Sequence, residues 1–261
     1  MIALAEEIPA LFEVSREYQF DPSAIEDGHT STTERLLYRA IAEAARVHFQ
    51  AVQRPLSILD VCAASGGCAN KVLPMVPCAA LCLVDNERVM CEAAKARPWA
   101  SKLVDVVEAD AVKWSTAQRF DLILMNSAYH HIENERKAQF MRNMAEHLKD
   151  DGKILVGEHF LPAYDSENSE SYRRSVLQFY TARINELVAR GDPPHVVDVI
   201  RQTGRYCWER RYEYQVNMST FRIHARKAGL QIYNQQRIWP ENVNDLPEDS
   251  GTFLVELKSP C

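Results

Sequence analysis

The chain has 261 residues, of which 46% are hydrophobic and 25% charged, a composition typical of a globular protein that can bury an ample core. The formal net charge of −6 argues against a general nucleic-acid binder, because affinity for the phosphate backbone depends on clustered lysine and arginine. No apolar run reaches membrane-spanning length, and acids occupy the N-terminal positions where a secretory signal carries basic residues, so we expect a cytoplasmic monomer or homodimer without nucleic-acid or membrane partners.

Residues 1–52 predict a helical cap in front of the main fold. A first helix is expected near Ile8–Tyr18. A second helix is expected to start around Ser31, because Ser31 and Glu34 have the spacing of a capping box. It continues with an apolar stripe formed by Leu36, Leu37, Ile41 and Ala44.

In residues 55–160, short β-branched runs alternate with helical stretches, a pattern typical of a mostly parallel sheet with helices on both faces. The expected strands are Ser57–Cys62, Ala80–Asp85, Asp105–Ala109, Asp121–Asn126 and Lys153–Gly157. The expected helices between them are Cys68–Val76, Arg88–Lys95 and Glu133–Leu148. No linker or internal repeat interrupts the chain, so we expect a single domain with this core at its centre.

After the fifth strand the regular alternation stops. Residues 161–215 predict a helical lid, with helices at Glu167–Ala189 and His195–Trp208. Regularity returns in residues 216–261, where a helix and two strands are expected at Ser219–Ala228, Leu230–Trp239 and Thr252–Leu257. The last two strands are expected to form an antiparallel edge, which brings the sheet to seven strands.

The turn after the first strand carries a glycine-containing motif. The segment Ile58–Gly67 runs from an apolar strand through an acid and a tight turn into a helix, and it resembles the first motif of class I S-adenosylmethionine (SAM) dependent methyltransferases. Such a turn lets backbone N–H groups and a helix N-terminus approach the cofactor. The resemblance assigns cofactor binding to Asp60, Cys62, Ala63, Ala64 and Gly66.

Three further motifs follow in the family's order, each at the end of an expected strand. Asp85 and Asn86 end the second strand, where a carboxylate can accept hydrogen bonds from ribose hydroxyls. The pair Asp110–Ala111 resembles the family's adenine-contacting residues, and Asn126 precedes a loop resembling the one that lines the methionine end of SAM. The resemblance implies a Rossmann-like α/β fold and a SAM-dependent transferase with SAM as its cofactor. Tyr18 is a further candidate contact to the SAM carboxylate or sulfonium.

The first loop departs from the family pattern at two positions. Cys62 and Ala64 stand where the family commonly has glycine, and their side chains add atoms where the methionine tail of SAM usually lies. Either the loop tolerates small side chains, or the tail of SAM is pressed into an unusual conformation. The second outcome favours the chemistry of methyltransferase-like azetidine-2-carboxylate synthases, which use SAM as sole substrate and release methylthioadenosine.

Methyl transfer mainly needs alignment and exclusion of water, and it needs a base only if the acceptor must lose a proton. His131, Glu158 and His159 follow the fourth and fifth strands and are the candidate catalytic residues. Candidates for lining a substrate pocket are Tyr129, Tyr172, Tyr180 and Tyr212, although more than half of the lid aromatics are expected to form the lid's own core.

A metal-assisted variant is conceivable, because four nearby residues resemble in type a His/carboxylate metal set: His130, His131, Glu158 and His159. Two adjacent histidines on a loop seldom both face one ion, so no metal is expected.

Three functions remain open. The favoured one is a methyltransferase acting on a small molecule, of natural-product or other secondary metabolism. The second is a SAM cyclase or lyase that makes azetidine-2-carboxylate or a related cyclic amino acid. The third is a catalytically silent SAM-binding sensor or scaffold. Product analysis after incubation with SAM alone separates them.

Overall fold

A sheet of seven strands organises the computed structural model, which describes residues 8–14, 31–100, 103–241 and 246–260. The strands are β1 (Leu56–Val61), β2 (Cys78–Asp85), β3 (Val104–Glu108), β4 (Phe120–Asn126), β5 (Leu148–Phe160), β6 (Gln231–Trp239) and β7 (Gly251–Lys258). The helices are α1 (Thr32–Val52), α2 (Gly67–Val72), α3 (Arg88–Ala96), α4 (Asn134–Glu146), α5 (Glu170–Ala189), α6 (Pro194–Glu209) and α7 (Met218–Lys227). All seven expected strands are present.

The strand order across the sheet is β3-β2-β1-β4-β5-β7-β6. Strands β1 to β5 run parallel, whereas β7 pairs antiparallel with both β5 and β6. The chain order reverses between β1 and β4, and in open α/β sheets a crevice for ligands forms at such a point, outside the carboxyl ends of the strands. The expected seven-stranded Rossmann-like fold is confirmed.

Alternate residues of each strand face opposite layers of helices. On one face, Leu59, Ile123 and Val156 belong to a core that also contains α4 and α7 side chains, among them Phe140, Met144 and Phe221. On the other face, Ile58, Leu122 and Leu155 belong to a core that contains side chains of α1, α2 and α3. Burial of both faces explains why the central strands read as continuous apolar runs.

Helix α1, the second helix expected in residues 1–52, lies in the layer that contains α2 and α3. Ser31 caps the helix by accepting a hydrogen bond from the Glu34 backbone N–H at 3.2 Å, as the capping box predicts. Leu37 and Ile41 are fully buried against the sheet. The first expected helix, Ile8–Tyr18, is wrong in its described part, where only a 3₁₀ turn at Ala10–Phe12 forms.

The two inserted helices α5 and α6 pack on each other and on the N-terminal 3₁₀ turn. Phe12 is fully buried between them, with its ring centroid 5.9 Å from that of Tyr180 and 6.2 Å from that of Trp208. This aromatic core accounts for the high aromatic content of the insertion. Among the described helices, none is long and apolar enough to cross a bilayer.

Candidate active site

The loop between β1 and α2 has a left-handed backbone at two residues that are not glycine. Cys62 and Ala64 have φ values of 49° and 47°, in the left-handed region, and Gly66 has φ 84°. A side chain in that region costs on the order of 1–3 kcal/mol, so the surrounding contacts must hold the two residues there. Two residues with side chains therefore hold a backbone conformation that favours glycine.

Asp85, at the end of β2, fixes this loop. Its Oδ2 accepts from the Ala64 backbone N–H at 2.8 Å, and its Oδ1 accepts from the Glu87 backbone N–H at 2.9 Å. The Ala63 backbone N–H donates to the Val84 carbonyl at 3.2 Å. Each carboxylate oxygen can accept a second hydrogen bond, so Asp85 can hold the loop and still bind two hydroxyls of a ligand. Its neighbour Asn86 is exposed.

Beneath the loop, Asp60 is 1% exposed and its Oδ2 accepts from the Ala69 backbone N–H at 3.1 Å, in the first turn of α2. Burial raises the pKa of Asp60 to about 8; the Ala69 hydrogen bond opposes this shift and the nearby Asp85 charge adds to it. Asp60 thus supports the loop from inside. Gly66 is required for space as well as for φ, since an added Cβ would lie 2.4 Å from the Trp99 ring.

At the end of β3, Asp110 lies at the same edge of the sheet. Its Oδ1 accepts from the Val112 backbone N–H at 2.9 Å, and its Oδ2 pairs with Arg136. Burial is the largest single influence and acts to raise the pKa of Asp110, but the hydrogen bonds from Arg136 and Val112 and the charges of Arg136 and Lys113 together outweigh it, so the pKa is lowered. Ala111 is buried, and its carbonyl accepts from Asn143 of α4 at 2.9 Å.

Glu34 joins helix α1 to the end of β4, a contact that the sequence reasoning missed. Its Oε1 accepts from Asn126 Nδ2 at 3.2 Å and from Ser127 Oγ at 3.1 Å. The Oδ1 atom of Asn126 is buried without a hydrogen-bond partner. Such an atom is costly unless a donor reaches it, so Asn126 Oδ1 is an unused acceptor at the end of β4.

The next residues form a buried group that we call the polar cluster: His130, Glu158 and Glu213. His130 Nδ1 lies 2.6 Å from Glu158 Oε1, and His130 Nε2 lies 3.5 Å from Glu213 Oε2. The three residues are 5%, 1% and 7% exposed. Glu158 also accepts from two backbone N–H groups, those of His130 at 3.1 Å and His159 at 2.6 Å. Glu213 Oε2, in contrast, has no hydrogen-bond partner.

Burial sets the protonation of the cluster. It lowers the pKa of His130 to about 3; nearby His131 lowers it further, while Glu213 opposes the shift. Burial also raises the pKa of Glu213 to about 7, with His130 opposing and Glu158 adding to the shift. Glu158 has a raised pKa for the same reason. His130 is therefore neutral, and because its Nδ1–H donates to Glu158, its Nε2 carries a lone pair.

The structure brings together only part of the predicted catalytic set. His131 has a 49% exposed side chain, and its Nδ1 lies 3.1 Å from the Tyr212 carbonyl oxygen. His159 is half-buried, and its Nδ1 lies 2.8 Å from Thr252 Oγ1 on β7. Burial lowers the pKa of His159 to about 4. His130, which the sequence reasoning passed over as a base, occupies the central position instead.

Of the four tyrosines predicted to line a substrate pocket, three are buried in the protein core and one is exposed at the surface. Tyr129, Tyr172 and Tyr180 are at most 2% exposed, and their hydroxyls bind His224 Nδ1 at 2.6 Å, the Cys207 carbonyl at 3.0 Å and Gln215 Oε1 at 3.1 Å respectively. These rings are core rather than pocket wall, because their surfaces and hydroxyls are already used. Tyr212 is 63% exposed beside Arg211. Tyr18 lies outside the described residues.

Two further residues hold the region together. Arg183 of α5 is 3% exposed and donates to Ser31 Oγ at 2.8 Å, to Thr33 Oγ1 and to Glu186 at 2.9 Å. It thereby ties the lid to the start of α1. Lys137 of α4 is fully buried, and its Nζ donates to two carbonyl oxygens of the turn that carries His130 and His131, those of Tyr129 and Ile132.

The sequence is similar to those of known methyltransferases. Residues 58–152 match the family model described as "Methyltransferase domain". Among curated proteins, the chain is similar to an uncharacterized methyltransferase of Staphylococcus carnosus (strain TM300), with 32% identity over 63 residues. The similar segment spans 24% of this chain and 28% of that protein.

Solved structures of methyltransferases resemble most of the chain. The N-methyltransferase NodS from Bradyrhizobium japonicum WM9, in complex with S-adenosyl-l-homocysteine, has a TM-score of 0.57 and 15% identity, covering 93% of this chain and 94% of that chain. The mitomycin 7-O-methyltransferase MmcR has a TM-score of 0.51 and 16% identity, covering 89% of this chain and 59% of that chain. At these identities the likeness concerns the fold.

Proposed function

Over residues 58–152 the chain carries a domain of the class I SAM-dependent methyltransferase superfamily, as its motifs indicate, and we propose that the protein transfers the methyl group of SAM to a small-molecule acceptor of secondary metabolism. The family match over residues 58–152 confirms the expected superfamily and, with it, SAM as the cofactor. The acceptor class is our inference, supported by NodS and MmcR, whose names describe an N-methyltransferase and a mitomycin 7-O-methyltransferase.

One observation carries the proposal: the loop held by Asp85 and the polar cluster lie at the carboxyl ends of adjacent central strands. The loop follows β1, His130 follows β4, and Glu158 lies near the end of β5. A cofactor bound on the loop would place its methionine end toward β4, where Asn126 Oδ1 is an unused acceptor. The reacting methyl group would then face the buried polar cluster, and this position would keep it away from water.

The chemistry requires few groups. A lone pair of the acceptor attacks the methyl carbon, the C–S bond breaks, and its electron pair stays on sulfur to give S-adenosylhomocysteine. If the acceptor is a hydroxyl or an ammonium group, its proton passes to the cluster, where the unpartnered Oε2 of Glu213 can accept it. The pKa of Glu213, raised by burial to about 7, suits this task near neutral pH.

A second candidate function rests on the loop itself. Cys62 and Ala64 keep the left-handed backbone but carry side chains, which is the observation that favours SAM as the sole substrate. In that reaction the α-amino nitrogen attacks the γ-carbon, the C–S bond breaks, and methylthioadenosine leaves with its electron pair while the nitrogen releases a proton.

Mass spectrometry after incubation with SAM tests both functions. Purified protein is incubated with SAM alone and with a panel of aromatic hydroxyl and amine acceptors, with the Asp85→Asn variant as the control. We expect S-adenosylhomocysteine to form only with an acceptor. Methylthioadenosine with SAM alone would replace the proposal by the cyclase, and binding without turnover across the panel would favour a sensor.

A further inference from the structure

We propose that His130, His131 and Glu213 form a binding site for a divalent transition-metal cation of the Zn²⁺ class. Each residue offers one ligand atom, and the three atoms lie within 4.8 Å of one another. Two imidazoles and one carboxylate are the donor set of open zinc sites, in which a fourth position stays available for water or substrate. The inference concerns metal binding alone and stands whether or not methyl transfer is the reaction.

The contacts behind His130 are those of a metal ligand. Glu158 Oε1 lies 2.6 Å from His130 Nδ1, so the imidazole donates there and its Nε2 lone pair is directed to the other side. That side is occupied by Glu213, whose Oε2 is 3.5 Å from His130 Nε2. A carboxylate that fixes the tautomer and orientation of a histidine in this way is a regular partner of metal-binding histidines.

Glu213 supplies a second, independent observation. It is 7% exposed, and its Oε2 has no hydrogen-bond partner. A buried carboxylate oxygen needs a donor or a cation, since burying it unpaired is costly. The Tyr214 backbone N–H donates to the His130 carbonyl at 2.7 Å, which holds Glu213 beside the histidine turn. Its negative charge thus faces two imidazoles.

The turn geometry removes the objection that adjacent histidines seldom face one ion. Tyr129–His131 form a 3₁₀ turn in which the His130 and His131 ring centroids are 4.2 Å apart. His131 Nδ1 is 3.8 Å from Glu213 Oε1. Its ring is half exposed, so it can turn from the Tyr212 carbonyl toward a cation without moving core side chains. The Lys137 hydrogen bonds to the Tyr129 and Ile132 carbonyls fix the turn itself.

A cation at this position would lie at the end of the crevice where the acceptor is proposed to bind. A hydroxyl bound to it would lose its proton more easily, because a bound divalent cation lowers the pKa of a ligated oxygen. The cation would then take over the role that Glu213 has in the metal-free cluster.

Cobalt substitution tests the site directly. Full-length protein freed of metal by chelator is titrated with Co²⁺, followed by visible absorption, and with Zn²⁺, followed by equilibrium dialysis. The variants are Glu213→Gln and His131→Ala, with His195→Ala of α6 as the control histidine. We expect one Co²⁺ per wild-type chain with a four-coordinate spectrum, at least tenfold weaker binding in both variants, and no change in the control.

Equal Co²⁺ affinity in wild type, Glu213→Gln and His131→Ala would overturn the site, as would the absence of stoichiometric binding. If Glu213→Gln does not fold, the Co²⁺ affinity of His131→Ala alone tests the site. This variant is expected to fold, because the exposed His131 side chain contributes little to the core. SAM binding is measured on each variant. A protein that binds SAM but no metal contradicts only this inference, and one that binds metal but not SAM contradicts only the proposed function.

Discussion

Glu158 and His130 form the central contact of the candidate active site: Oε1 of the carboxylate is 2.6 Å from Nδ1 of the imidazole, and Oε2 accepts from the backbone N–H of the same histidine at 3.1 Å. One carboxylate thus fixes both the position of the residue and the tautomer of its ring. Every role proposed for the cluster depends on this pair.

Replacing Glu158 by glutamine should damage both stability and activity. Both carboxylate oxygens of Glu158 accept hydrogen bonds, from three N–H groups in all. In glutamine one oxygen becomes an NH₂ group, which would face an N–H donor and leave that donor without an acceptor. We expect a loss of about 2 kcal/mol in the free energy of unfolding. Methyl transfer, or metal affinity, should fall by about 10- to 100-fold. Urea denaturation and SAM consumption measure the two effects. The exposed Glu135→Gln is the control, and a silent Glu158→Gln would contradict the assigned role.

Replacing Ala64 by glycine should stabilise the fold. The change relieves a left-handed φ of 47° at the cost of chain entropy, and relief should exceed that cost by about 0.5–1 kcal/mol. Ala138→Gly in the middle of α4 is the matched control and should lose about 1 kcal/mol. Thermal denaturation compares the two. A loss of stability in Ala64→Gly would mean that the side chain makes contacts worth more than the strain.

The stability difference between wild type and Asp60→Asn should depend on pH. The folded-state pKa of Asp60 is raised by burial to about 8, above the unfolded value, so between about pH 4 and pH 8 the folded state binds the additional proton. The contribution of Asp60 is therefore complete at low pH and is lost as pH rises toward 8. Urea denaturation at pH 5, 7 and 9 should show wild type losing its advantage over Asp60→Asn. A constant difference would contradict the raised pKa.

Replacing Arg183 by lysine should loosen the lid. One ammonium group cannot reproduce the contacts to Ser31, Thr33 and Glu186, and a partly unpaired buried charge should cost about 3 kcal/mol. Faster proteolysis between α5 and α6 and lower stability are expected. The control is Arg174→Lys on the exposed side of the same helix, which should behave as wild type. Equal behaviour of the two variants would show that Arg183 does not tie the lid to α1.

The elements of the fold could be predicted from the sequence because their signals are local. Alternation of apolar runs located the strands, and the Ser31–Glu34 spacing located the start of α1. Their boundaries could not be predicted as well: β5 begins at Leu148 rather than near Lys153, because Leu148 pairs with Phe120 across a register shift. Such pairing depends on a residue distant in sequence.

The candidate site was less predictable for the same reason. Local spacing located the loop after β1 and Asp85, which we propose bind SAM, but it could not tell which of His130 and His131 turns inward. His130 faces inward because it contacts Glu158 and Glu213, and Glu213 lies at the C-terminal end of the lid, distant from His130 in sequence. No local signal marks Glu213. Glu34 carried only a capping signal, although its carboxylate also reaches Asn126 and Ser127.

The central claim is that the loop fixed by Asp85 binds SAM, and a calorimetric titration of SAM into the full chain tests it most directly. We predict one binding site per chain in the wild type and at least tenfold weaker binding in Asp85→Asn, because that variant loses an acceptor oxygen for both the loop and the ribose. Absence of SAM binding by a folded wild-type protein, or equal affinity of the wild type and Asp85→Asn, would contradict the account.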